Sequence, residues 1–321
     1  MRDDSPVFIV GMPRSGTTLM RGAVDAHPDI AIAPETHFLN FWVPRAGKRE
    51  LESRADFDRF WGAFARSRQF AQLGLSAADV REAVLAADEL SFRTVFAILL
   101  GAYARKAGKT RWGEKTPLHH LHIGRLLEWF PASRIVYMLR DPRSVVASLQ
   151  DAPWAQPNLE LQACRWRDSV RVLGRWESDP RVCVVFYEAL VTEPETVLRK
   201  LGDFLGEHFD VSLLSRRQLE SGHGVSAYGG WAQEHFGAAS GPIRSDSISK
   251  WQERLTPRQV AIVEYLTQTQ MRRVGYEPVT AGPGMEAWFA LNARRGMNRL
   301  RRVIERAHHR RLEMPAPDRS R

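Results

Sequence analysis

The chain has 321 residues, 44% hydrophobic and 26% charged, with a formal net charge of +9. It is long enough to bury a large core without staples, and with only two cysteines, Cys164 and Cys183, it is excluded from the disulfide-scaffolded domains and fits a reducing compartment. Ten arginines against Glu305, Glu313 and Asp318 put +7 of the charge on residues 294–321, leaving 36 basic and 34 acidic residues elsewhere, so the body is nearly neutral and carries no nucleic-acid-binding signature.

Residues 1–6 are charged and run straight into a strand, without the apolar region of a signal peptide. No run of about 18 apolar residues exists, so no transmembrane span is expected and the protein is read as cytoplasmic. Residues 7–11, Val-Phe-Ile-Val-Gly, form a β-branched apolar run ending in glycine, the pattern of a buried parallel strand. Helical spacing over 17–26 is stopped by His27-Pro28-Asp29, and 30–33 is a second short strand ending at Pro34-Glu35-Thr36. Residues 50–107 read as wholly helical and amphipathic, a helical insertion on the acceptor side. Its Trp61, Phe64, Phe70, Phe92 and Phe96 belong either to an apolar cleft or to the core. Further helices are predicted over 118–129, 142–149 with proline in its first turn, 159–176, 194–205 and 257–271, and further strands over 134–139 and 181–186. Short strands alternating with helices predict an α/β fold with a central parallel sheet flanked by helices. Residues 221–247, rich in Gly and Ser, are a loop or lid candidate. The 281–284 stretch, Ala-Gly-Pro-Gly, ends a domain spanning 1–285. Beyond it lies an Arg-rich tail, 286–321, with apolar residues at roughly helical spacing, suited to an anionic membrane surface, an acidic partner or another subunit, or else simply solvated.

The most informative segment is Gly11-Met-Pro-Arg14-Ser15-Gly16-Thr17-Thr18, placed between strand and helix. There backbone N–H groups point at an anion and the helix dipole favours it. The Gly-x4-Gly spacing matches a nucleotide P-loop, but Thr17 stands where the phosphate-reaching lysine belongs, and Arg14 supplies a cation within the loop instead. A second anchor follows the strand at 134–139: Arg140 offers a bidentate fork for a phosphate, and Ser148, two helical turns on, adds a hydroxyl. These residues alone leave open a P-loop kinase or NTPase, and a binding module without catalysis.

The pair of segments 13–19 and 140–148 resembles the sulfotransferases that use 3′-phosphoadenosine-5′-phosphosulfate (PAPS). The run Arg14-Ser-Gly-Thr-Thr-Leu-Met-Arg21, with Asp25-Ala-His-Pro28 and Glu35-Thr36, is similar to the branch containing the tyrosylprotein sulfotransferases and bacterial enzymes. The resemblance covers residues 6 to about 276 and implies a sulfuryl transfer from PAPS to a hydroxyl acceptor, without metal. It implies that Arg14, Ser15, Gly16, Thr17 and Thr18 hold the 5′-phosphosulfate, that Arg140 and Ser148 hold the 3′-phosphate, and that Tyr187 lies near the adenine. It places Arg244 and Lys250 in a late cofactor-binding loop. It makes Glu35 the catalytic base, with His37 as the fallback, and the chemistry assigns Lys115 to the sulfate and leaving oxygen. Glu114 then either orients Lys115 or pairs with Arg111. His119, His120 and His122 are read as helix or pocket-wall residues rather than metal ligands. Asp151-Ala152-Pro153 stands where the tyrosylprotein enzymes carry a further arginine, so the acceptor stays open among phenols, sugars, lipids and peptides.

Overall fold

A computed structural model describes residues 5–47, 50–152, 154–209, 245–282 and 284. Arg244, most of the 221–247 loop and the tail at 286–321 lie outside them.

Five parallel strands form one sheet in the order β2-β3-β1-β4-β5: β1 (Val7–Gly11), β2 (Ile30–Ala33), β3 (Arg111–Lys115), β4 (Arg134–Leu139) and β5 (Val182–Phe186). β1 sits at the centre, pairing Phe8 with Glu114 on one side and with Ile135 on the other. All five of its residues are buried, which is why it reads as an unbroken apolar run. Alternation along the strands sends Phe8, Val10, Ala31, Ala33 and Trp112 to one layer and Val7, Ile9, Ile30, Ile32, Val136 and Met138 to the other. The second layer is closed by helices α1 (Thr17–Asp25) and α11 (Pro194–Leu205), with half-buried Cys183 packed against it.

The first layer is closed by the insertion. It is four helices rather than one continuous stretch: α3 (Arg54–Phe64), α4 (Arg68–Ala71), α5 (Ala77–Leu85) and α6 (Phe92–Lys106), preceded by the single turn α2 (Val43–Arg45). Ser53, Ser67, Ser76 and Ser91 each accept a hydrogen bond from a backbone N–H three residues on. These caps divide the segment, because a serine that takes up an orphan N–H starts a new helix. Trp61, Phe64, Phe70, Phe92 and Phe96 are all buried, in the core rather than along a cleft. Phe38, in the π-helical turn Phe38–Trp42, stacks on Phe96 at 4.6 Å and meets Phe60, Phe64 and Phe92 edge-on.

β3 corrects the sequence reading, which has no strand at 111–115 because three of the five residues are ionisable. All five are buried, so each charge needs a partner. Arg111 donates to the carbonyls of Ser5 and Leu205 and pairs with Glu207 at 3.1 Å; Glu114 and Lys115 find theirs in the site described below. Gly113 is required here, since a Cβ would lie 2.2 Å from the Val7 carbonyl oxygen of the neighbouring strand. The predicted helix at 118–129 is likewise two pieces, the 3-10 turn Pro117–His122 followed by α7 (Ile123–Trp129). The remaining helices are α8 (Pro142–Gln150), α9 (Leu159–Leu173), α10 (Tyr187–Thr192), α12 (Trp251–Arg254) and α13 (Pro257–Arg273). The residues that follow β1, β2, β4 and β5, together with the end of β3, gather at the carboxyl edge of the sheet, where open parallel sheets bind ligands.

Candidate active site

The loop after β1 is shaped by its glycines. Gly11 has φ +145°, and a Cβ there would come 2.4 Å from the Met138 carbonyl oxygen of β4. Gly16 caps α1 at φ +92°, and a Cβ there would strike the Tyr187 ring at 2.4 Å. The turn is closed by Ser15, whose N–H and hydroxyl both donate to the Met12 carbonyl, at 3.1 and 2.6 Å. Arg14 adopts the left-handed region at φ 72°, an uncommon conformation for a residue with a Cβ and one found at ligand clamps. The first turn of α1, beginning at Thr17 and Thr18, has no side-chain cap. Its N–H groups are therefore directed at the space above the loop.

The two sequence anchors meet. Arg14 Nε donates to Ser148 Oγ at 2.8 Å, joining the loop to α8. Arg140 donates to the Arg14 carbonyl at 3.2 Å and to the Ser247 carbonyl at 2.7 Å, and its guanidinium lies 4.0 Å over the Tyr187 ring. The Tyr187 hydroxyl is 2.7 Å from Ser247 Oγ, and Ser144 donates to the Ile248 carbonyl at 3.1 Å. Thus the late segment docks through Ser247 and Ile248 on Arg140, Ser144 and Tyr187, with Lys250 following at the start of α12. Burial, then the neighbouring Arg140 and Arg254, push the Arg14 guanidinium below its ordinary value; burial does the same to Arg140. Arg140 Nε is buried with no partner among the described residues. Crowded, partly desolvated cations with an unfilled donor form a site suited to an anion. Arg254, which pairs with Asp151 at 2.9 Å and faces Arg14 electrostatically, was not singled out from the sequence. Only the chain fold brings it from residue 254 to the loop.

On the other side of the loop, Lys115 Nζ stands 2.5 Å from Glu35 Oε1 and 3.4 Å from Thr18 Oγ1. Glu35 Oε2 lies 3.2 Å from His37 Nε2. The Lys115 side chain is 4% exposed and that of Glu35 24%, so the carboxylate opens to solvent while the ammonium lies behind it. Burial on its own raises the Glu35 carboxyl, but Lys115 and then His37 override it and hold the group well below the usual carboxylate range. His37 moves the other way: burial lowers it, and the contact with Glu35 raises it further than that. His37 has φ 53°, a second left-handed residue beside the site.

Glu114 neither pairs with Arg111 nor touches Lys115. It alternates to the opposite face of β3 and accepts from the Thr36 N–H at 2.9 Å, the Thr36 hydroxyl at 2.8 Å and the Thr116 hydroxyl. His119 and His120 are buried and held within the fold: His119 Nε2 accepts from the Leu39 N–H at 3.1 Å, and His120 Nδ1 is 3.0 Å from the Pro117 carbonyl. Burial lowers the His120 and His122 imidazoles, to about 4 and about 3.

Of the described residues proposed from the sequence, Arg14, Ser15, Gly16, Thr17, Thr18, Arg140, Ser148 and Tyr187 lie at the loop and its anchor, and Glu35 and Lys115 form the second cluster. Lys250 stands at the start of α12, and Arg244 lies outside the described residues. An anion loop without the lysine of nucleoside-triphosphate sites, a paired-arginine anchor and a lysine–carboxylate couple together define a group-transfer site for a phosphate-bearing donor. The chain belongs to the sulfotransferase family, whose model matches residues 6–211, more than half its length. It is 27% identical over 280 residues to protein-tyrosine sulfotransferase A of Caenorhabditis elegans, across 85% of this chain and 67% of that protein. It is 26% identical over 294 residues to protein-tyrosine sulfotransferase 2 of Gallus gallus, across 86% of this chain and 71% of that protein. The fold is similar to the sulfotransferase domain of the Synechococcus PCC 7002 olefin synthase, with a TM-score of 0.58 and 24% identity over 85% of this chain and 96% of that one. It is also similar to the sulfotransferase domain of the curacin biosynthetic pathway, with a TM-score of 0.53 and 23% identity over 85% and 98%. The family decides between the readings of the loop: the protein is a sulfotransferase, not a P-loop kinase.

Proposed function

We propose that the protein transfers the sulfuryl group of PAPS to a hydroxyl acceptor by in-line displacement, with Glu35 as base and Lys115 stabilising the leaving side. The observation that carries this reading is the position of Lys115 Nζ, within reach of both Glu35 Oε1 and Thr18 Oγ1. One cation thereby links the group that takes a proton to the loop that holds the anion. The donor supplies a sulfur–oxygen bond to be exchanged: a new bond forms from the acceptor oxygen, the bond to the bridging phosphate oxygen breaks, and 3′-phosphoadenosine-5′-phosphate (PAP) leaves. The N–H groups of Gly16, Thr17 and Thr18 and the Arg14 cation cradle the 5′ end. Arg140 and Ser148 address the 3′-phosphate, for which the unfilled Arg140 Nε is a ready donor. Tyr187, Arg244 and Lys250 complete the nucleotide site.

Glu35 accepts the acceptor's proton. Paired with Lys115 it is a weak base, and it becomes a stronger one when the ammonium turns toward the negative charge growing on the leaving oxygen. The acceptor belongs to the hydroxyl class, and the protein-tyrosine sulfotransferases among the relatives put a tyrosyl peptide first in the series to be tried. A cytoplasmic location is part of the proposal and rests on composition; cell fractionation tests it. Among the described residues no helix is long and apolar enough to cross a membrane.

The test is transfer of labelled sulfate from PAPS to a tyrosyl peptide, a simple phenol, a sugar and a sterol. Transfer to at least one is expected, and Glu35→Gln lowers kcat by roughly 10²–10⁴-fold while PAP affinity is kept. An undiminished Glu35→Gln rate contradicts the role of the base.

A further inference from the structure

The turn that carries Glu35 does not hold itself in place. Four successive backbone N–H groups after it, those of residues 36–39, are satisfied from outside or by side chains. Thr36 N–H donates to Glu114 Oε1 at 2.9 Å and His37 N–H to Thr116 Oγ1 at 3.3 Å. Phe38 N–H donates to Thr36 Oγ1 at 3.2 Å and Leu39 N–H to His119 Nε2 at 3.1 Å. The two hydroxyls that receive these N–H groups both donate onward to one atom, Glu114 Oε1. The ring that receives the fourth carries its proton on Nδ1, because Nε2 accepts, and Nδ1 lies 3.0 Å from Glu114 Oε2. The contact is out of line for a full hydrogen bond, but it presents the polar edge of the ring to the carboxylate.

Glu114 is 1% exposed and His119 0%. Burial raises the carboxyl, and His119, Thr116 and the Thr36 N–H override that and keep it ionised. A buried carboxylate that fixes a turn 78 residues away is costly unless fully used. On the same strand the next residue is Lys115, and in the turn the residue before Thr36 is Glu35. The hub therefore ties together the two backbones whose neighbouring side chains form the 2.5 Å lysine–carboxylate couple.

We infer that Glu114 is a positioning residue which, through Thr36, Thr116 and His119, sets the 35–39 turn so that Glu35 faces Lys115. This deepens the reading of Glu35 and Lys115 as the reacting pair and rests on it. Glu114 touches neither, so its effect travels through backbone placement, where an error of about 1 Å is enough to cost up to roughly 100-fold in rate.

The test uses the full chain with Glu114→Gln, Thr116→Val and Thr116→Ser. The Thr116 pair keeps the proposal falsifiable if the glutamine variant fails to fold. The first readout is the Glu35 carboxyl carbon, followed by NMR against pH. The charged groups facing Glu35 are Lys115 from β3 and His37 from its own turn; the titratable groups facing Glu114 are the His119 ring at 3.0 Å and, electrostatically, His37. In the wild type the Glu35 midpoint lies below the usual carboxylate range. Glu114→Gln and Thr116→Val shift it upward as Glu35 drifts from Lys115, and Thr116→Ser, which restores the hydroxyl, returns it. The second readout is transfer from PAPS to a tyrosyl peptide: kcat falls roughly 10- to 100-fold in the first two variants, with KM for PAPS and PAP affinity within twofold of the wild type. A Glu35 midpoint unmoved in folded variants, a serine variant as impaired as the valine one, or an equal loss in PAP affinity overturns the inference. If the wild type transfers nothing to any acceptor, the sulfuryl-transfer reading fails by itself, and the Glu35 titration still decides the positioning role.

Discussion

Glu35 and His37 are coupled in opposite senses, and that coupling is open to measurement through stability. The folded state holds His37 above its ordinary value of 6.5 through the contact with Glu35. A group raised in the folded state contributes stability that is fully present below its unfolded value and lost as the pH rises through the folded one. His37→Asn should therefore lower Tm more at pH 6 than at pH 9, and scanning calorimetry of both proteins at the two values checks this. Glu35 has the opposite sign: its contribution is present above the ordinary 4.5 and fades as the pH falls below it. An equal Tm deficit for His37→Asn at both pH values contradicts the pairing. At this scale the phosphate loop was legible in the sequence, because Gly11, Arg14, Gly16, Thr17 and Thr18 act through local backbone geometry. Glu114 was not, because its partners Thr36 and His119 meet it only through the fold.

Among the elements, β1 and β4 announce themselves as apolar runs, while β3 conceals itself behind Arg111, Glu114 and Lys115. Its charges are affordable because each is met by a partner drawn from another element: Glu207, Thr36 and Glu35. A hydrophobic pattern detects a strand that is buried by solvent exclusion and misses one that is buried by pairing. Gly113 makes the point testable. Its missing side chain lets β1 and β3 close at the register Val7 to Gly113. Gly113→Ala should cost about 3 kcal/mol, read as a lower midpoint in urea unfolding, since the methyl meets the Val7 backbone rather than a flexible side chain. A midpoint equal to the wild type would show that the sheet can open there. The insertion was legible as helical but its internal boundaries were not, for a related reason: serine caps interrupt helices without interrupting the apolar spacing.

For the whole molecule, the donor side of the site is braced from behind. Arg143 pairs with Asp141 at 2.6 Å and with Glu264 of α13 at 2.8 Å, and its guanidinium lies 4.4 Å over the Trp251 ring. Glu264 also accepts the N–H groups of Val279 and Thr280, each at 2.9 Å. The C-terminal end of the described fold is thereby tied to α8, the helix that carries Ser144 and Ser148. Glu264→Ala leaves Arg143 with one carboxylate fewer in a buried setting and should cost about 3–5 kcal/mol. Faster amide exchange at Val279 and Thr280 should accompany that loss; a stability within 1 kcal/mol of the wild type contradicts the brace. Such a network joins residues 141, 264 and 280, and no local pattern in the sequence foretells it. The sheet, by contrast, was foreseeable as parallel from the alternation of strands and helices, and with it the collection of Arg14, Glu35, Arg140 and Tyr187 along one edge.

The central claim is that this edge binds a 3′-phosphorylated adenine nucleotide. Isothermal titration with PAP, set against ATP with Mg²⁺, tests it most directly. The account predicts micromolar binding of PAP, a loss of that binding in Arg140→Ala, and a clear preference over ATP. Tight ATP·Mg²⁺ binding with no preference for the 3′-phosphate would contradict it.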